Sequence, residues 1–158
     1  MSVIIAVVPF IIAGVASTAA SIGAIKSDTK QSNETNDDSL CLGTNIRNEE
    51  LLRKTLVNLG AKNISSVQNS LEGKIDAFHI VFEKTTKGLF NIKFKGGIAQ
   101  EEAENFLKEL QQEYGSVVQD YVYTQLKQKA ELKGLALEKE AVQKDQSIVL
   151  TYNISNNG

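Results

Sequence analysis

The sequence predicts an α+β fold: a mainly antiparallel sheet with two helices on one face, preceded by an apolar N-terminal helix. Three observations lead there. Phe78, Ile80 and Phe82, then Phe90, Ile92 and Phe94, alternate with other residues at the two-residue period of strands. Gln100 to Lys133 keeps its apolar residues at the helical period. Ahead of both, Val3 to Ile25 holds no charged residue, and Lys26 to Asp38 holds no apolar one. The contrasts divide the chain into an apolar helix (1–25), a polar tether (26–38) and an α+β domain (39–158).

The apolar run of 23 residues would span roughly 34 Å as a helix, enough to cross a bilayer core of about 30 Å. Pro9 would kink it, which a membrane helix tolerates. Ala13, Ser17, Ala20 and Ala24 recur on one side and form a small-residue face suited to close helix packing in lipid. Two other readings stand beside the anchor: a cleaved secretory signal, which lacks its usual leading positive charge, and a buried or self-assembling helix. The first positive charges, Lys26 and Lys30, follow the run and place the domain on the cytoplasmic side. Without apolar side chains, Lys26–Asp38 cannot offset its ordering entropy by burial and reads as a flexible tether.

Within the domain, Leu40 and Leu42 mark a short strand. Leu51, Leu52, Thr55, Leu56 and Leu59 share one helical face, with Asn45 as the expected N-cap and Gly60 as the stop. Ile64 to Leu71 reads as one irregular strand. The two Phe-rich strands follow, joined by a hairpin over Lys84–Gly88. The long helix has Gly115 mid-run, a site for a bend or break, and ends at Gly134. Leu135–Val142 and Ser147–Ile154 close the chain as a hairpin around Gln143–Gln146.

Composition narrows the function. Of 17 basic and 19 acidic residues, two and four lie ahead of residue 39, so the domain has no net charge and little to gain from counterion release on nucleic acid. Cys41, the single cysteine, rules out an internal disulfide and reads as a buried small apolar residue. His79, the single histidine, lacks the partners of a metal site or of a nucleophile–base pair and reads as a structural or surface residue. Gly96-Gly97 lacks the spacing of a phosphate loop, and Glu101, Glu102 and Glu104 would repel a phosphate at that helix start. Glu109 and Glu113 read as a solvated helix face. No cofactor and no metal is expected.

The less ordinary feature is the sheet's second face. Ile75, Ala77, His79, Val81 and Leu89 are expected to point away from the Phe face and to remain fairly apolar. Lys84, Lys87, Lys93 and Lys95 add a basic patch on the hairpin, which reads either as solubilising charge near a strand edge or as a contact for an acidic partner or lipid headgroups. The candidate partner face is thus Ile75, His79, Val81, Leu89, Lys93 and Lys95.

Glu50-Leu51-Leu52 through Leu59-Gly60, Phe106-Leu107 through Tyr114, and Gly134 followed by the Gln143–Ile154 hairpin resemble a bacterial and plastid family known as domain of unknown function 1257. That family's last hairpin runs acidic-Gly-Ser-Ile. Here it reads Asp145-Gln146-Ser147-Ile148, without the Gly, and the apolar N-terminus and tether also depart from the pattern. The resemblance implies no activity, but it does imply an AAA-type ATPase as a partner. The reading from residues is therefore a membrane-tethered, non-catalytic interaction or adaptor module. The alternatives are a self-assembling homo-oligomer joined through its apolar helices, and a small enzyme or ligand binder using His79.

Overall fold

A computed structural model describes residues 2–10 and 39–154. Its elements run β1 (Val3–Val8), β2 (Leu40–Gly43), α1 (Glu49–Asn58), β3 (Lys62–Val67), β4 (Ser70–Ile75), β5 (Phe78–Lys84), β6 (Phe90–Lys95), α2 (Gln100–Leu132), β7 (Leu135–Val142) and β8 (Ile148–Ile154). The α+β class is as expected, but the strands form two antiparallel sheets: β2-β6-β5-β4-β3 and β1-β8-β7. The chain accordingly forms two compact units, one of Met1–Ile12 with Gly115–Gly158 and one of Ala13–Tyr114. The expected boundaries at 25 and 38 lie outside the described residues.

The five-stranded unit is built on cross-strand apolar rows. Phe94 stands opposite Ile80 and Leu40, Ile92 opposite Phe82 and Leu42, and Phe82 opposite Leu71. Opposed residues share a face, so Phe82, Phe90, Phe94, Ile80, Ile92 and Leu71 are all buried together. Phe94 meets Phe106 of α2 edge to face, with ring centroids 5.8 Å apart. Leu52 and Leu56 of α1 and Ala103, Leu107 and Leu110 of α2 are buried as well.

Helix α1 starts later than expected. Its N-cap is Asn48, which accepts from Leu51 N at 3.0 Å, and not Asn45. The cause is that residues 44–46 continue the pairing of β2. Thr44 N donates to Phe90 O, and Phe90 N donates to Ile46 O. Buried Thr44 also donates its hydroxyl to Phe90 O and accepts from Ile46 N. At the far end Gly60, at φ +84, supplies the left-handed stop.

The stretch read as one irregular strand is the β3–β4 hairpin. Gln68, at φ 54, turns the chain there, and β3 is bulged between Lys62 and Ser65. The β5–β6 hairpin is as expected, with Gly88 N donating to Thr85 O.

The three-stranded unit packs Val8, Leu150 and Tyr152 against Ala130 of α2, with Val122, Tyr123 and Leu126 alongside. Helix α2 runs unbroken through Gly115, the residue at which it passes from one unit to the other. Strand β1 corrects the expectation of a single helix from Val3. Residues 3–8 pair antiparallel with β8, Val3 opposite Asn153 and Val8 opposite Ile148. Val-Ile-Ile-Ala-Val-Val is mostly β-branched, and such side chains favour a pleated surface. Residues 11–25, and with them the small-residue face Ala13, Ser17, Ala20 and Ala24, lie outside the described residues. Among the described residues no helix is long and apolar enough to cross a membrane.

The closing hairpin turns where expected. Asp145 Oδ1 accepts from Ser147 N at 3.0 Å and from Ser147 Oγ at 2.6 Å. These bonds hold the Asp145 carboxyl below its usual range. Gln146 at the turn has φ 64, in the left-handed region.

Candidate contact surface

Pairing register sorts the residues of the five-stranded sheet by face. Opposite the Phe core, one row reads Cys41, Lys93, Val81, Glu72 and Ser65 across β2, β6, β5, β4 and β3. The next row reads Lys95, His79, Lys74 and Lys62 across β6, β5, β4 and β3. The expected partner face therefore splits. His79, Val81, Lys93 and Lys95 share it, as expected. Ile75 does not. It stands opposite Phe78 and is buried on the core face. Asp76 and Ala77 form a tight turn, with Asp76 at φ 50, and residues flanking a two-residue turn point the same way. Leu89 lies in the loop ahead of β6, half-buried.

The face is also less apolar than expected. Val81 is its large apolar side chain on the central strand, and only 3% of it is exposed. Lys93 and Glu72 flank it on the neighbouring strands, so their aliphatic stems can cover it while the charges stay in water. The surface is therefore a charged one. His79 Nε2 lies 3.5 Å from Glu72 Oε2, with the imidazole about a third exposed. Lys84 leaves the expected basic patch, because it stands opposite Phe90 with its ammonium 5.7 Å from that ring's centroid.

Cys41 is exposed and not buried as expected, because it takes the outward position on edge strand β2. Partial burial of its sulfur raises the thiol above its usual value. Glu83 adds to the rise and Lys93 opposes it, so the thiolate is disfavoured. Glu113 accepts from Asn58 Nδ2 at 2.8 Å and so braces α1 against α2. Among the described residues no three His, Cys, Asp or Glu side chains cluster as metal ligands.

The three-stranded sheet carries a second surface that periodicity did not reveal. On its face away from the core, Val3, Ile5 and Val7 are 49%, 65% and 56% exposed. Val149 stands opposite Val7 and Ala141, which widens the strip. Strand β1 is an edge, and it carries neither a charge nor a bulge. The signal was present in the β-branched run itself, but its continuity with the uncharged residues that follow made it read as helix. The chain matches no family model, no curated protein and no solved structure.

Proposed function

We propose that the protein is a membrane-associated, non-catalytic interaction module that meets lipid through its apolar N-terminal region. The observation that carries this reading is the exposed strip Val3, Ile5, Val7 on β1, directly followed in sequence by the uncharged residues Pro9 to Ile25. Strand pairing takes Val3–Val8 out of any spanning helix. The 17 uncharged residues left would reach about 25 Å at 1.5 Å each, short of a bilayer core of about 30 Å. Shallow insertion beside an apolar sheet edge therefore suits this chain better than a full crossing. Lys26 and Lys30 after the apolar run add positive charge suited to the anionic surface of a cytoplasmic leaflet. A protein partner such as an AAA-type ATPase rests on the family resemblance.

Flotation of the full chain with phosphatidylcholine vesicles tests the reading. The wild-type chain is expected to float, and Ile5→Asp, at an exposed position, is expected to stay behind with its fold intact. A wild-type chain that stays in solution sinks the proposal.

A second reading, self-assembly, is favoured by the position of β1 at the edge of its sheet among the described residues. Unpaired N–H and C=O groups on an apolar edge strand are a template for another copy. Light scattering without vesicles separates the two readings. A defined oligomer that Ile5→Asp converts to monomer assigns the strip to a second copy.

A further inference from the structure

The row Lys62, Lys74, His79, Lys95 places one basic or protonatable side chain on each of four adjacent strands. Like charges directly opposite one another on a sheet are destabilising, so such a row works against the fold that displays it. Strand spacing sets the four side chains over about 14 Å, one every 4.8 Å or so. Lys62, Lys74 and Lys95 are exposed, and no ion pair joins them to a carboxylate among the described residues. Of the carboxylates on this face, Glu72 stands in the neighbouring row, where His79 engages it, and Glu83 stands one row farther off. Asp76 lies at the turn beyond the row.

We infer that this row is a docking strip for anionic lipid headgroups; the inference rests on the membrane association proposed above. Charge complementarity selects an anion. The row crosses the strands on one open sheet surface, so a laterally extended negative surface meets all its members together, whereas an extended peptide would need a groove to do so. Nucleic acid is disfavoured because the domain is neutral and no aromatic ring stands in the row for a base to stack on. A shallow apolar contact alone holds a membrane weakly and reversibly. Adding a basic patch makes the binding stable and selective for acidic leaflets.

The test uses the full chain in co-sedimentation with two vesicle types, phosphatidylcholine alone and a roughly two-to-one mixture with phosphatidylserine. Wild type is expected to prefer the mixture, with the preference shrinking as salt shortens the screening length. The triple variant Lys62→Gln/Lys74→Gln/Lys95→Gln is expected to lose it, on the order of 100-fold for three lysines at about fivefold each. Its binding to phosphatidylcholine alone should not change. A control with the same charge change elsewhere, Lys108→Gln/Lys129→Gln/Lys133→Gln, should keep the preference.

Equal binding of wild type to both vesicle types overturns the inference and leaves the apolar contact standing. Binding to the mixture alone supports the row and removes the apolar contact. A triple variant that still prefers the mixture, its fold verified by circular dichroism, overturns the row. So does lysine-dependent capture by polyglutamate or single-stranded nucleic acid with no binding to the mixture.

Discussion

The two sheets handle their edges in opposite ways. The five-stranded sheet ends on β2, only four residues long, and on β3, which is bulged and rich in Ser and Asn. The three-stranded sheet ends on β7, interrupted by a register shift beside Glu138, Lys139 and Glu140, and on β1, which has no such device. Shortness, bulges and charge are the common means of stopping a sheet from recruiting another strand. Three edges use them. Among the described strands only the β1 edge lacks them, and the same strand turns its apolar side chains outward.

The cores differ as well. The larger sheet buries three Phe rings fully, while the smaller is held by Val8, Leu150, Tyr152 and Ala130 with half-buried helix residues around them. Phe82→Ala should therefore have the largest effect, a loss of about 3–5 kcal/mol measured by urea unfolding. Leu150→Ala should cost about 2–5 kcal/mol and fall at the lower end, because a thin core collapses more readily around a void. If Leu150→Ala proves the costlier, the smaller unit is the better packed one and the comparison is reversed.

The smaller core also contains a polar flaw. Tyr152 is buried, and its hydroxyl has no hydrogen-bond partner among the described residues. Burial, the largest cause, raises its ionisation above the usual range. Nearby Tyr123 satisfies its own hydroxyl by donating to Glu140 and accepting from Lys127. Tyr152→Phe is expected to leave stability unchanged or raise it by about 1 kcal/mol, since an unsatisfied buried group costs about 1–3 kcal/mol. A loss above that size in thermal melts would show that the hydroxyl is satisfied.

The smallest effect belongs to the β7–β8 turn. The carboxyl of Asp145 is depressed in the folded protein by its bonds from Ser147. Its contribution is therefore fully present above the unfolded value, about 3.9. It fades as pH falls through the lower folded value. Asp145→Asn should be less stable than wild type at neutral pH, with the difference closing in melts taken at progressively more acid pH. A difference that does not vary with pH would mean that Ser147 is held by geometry and not by charge.

Sequence periodicity recovered the elements whose signals are local. The β5–β6 hairpin and both ends of α2 announce themselves through Phe/Ile alternation, Gly88 and Gly134. It failed where the answer depends on remote partners. Val3–Val8 is a strand because β8 is there to pair with it, and a short apolar run cannot declare its partner. Strand parity resets at each turn, and the Asp76–Ala77 turn carries no Gly to mark it, so alternation counted through that turn puts Ile75 on the wrong face. The row of basic side chains was invisible for the same reason. Lys62, Lys74, His79 and Lys95 become neighbours only once the register of four strands is known.

The seating of β1 beside β8 also sets an order of events during synthesis. The five-stranded unit has all its parts once Tyr114 has emerged, and it can form early. Strand β1 is made some 140 positions before the strand it pairs with, so it is the kind of distant pairing that slows folding. For that interval an uncharged, mostly β-branched stretch of nascent chain is without the strand that pairs with it in the finished fold.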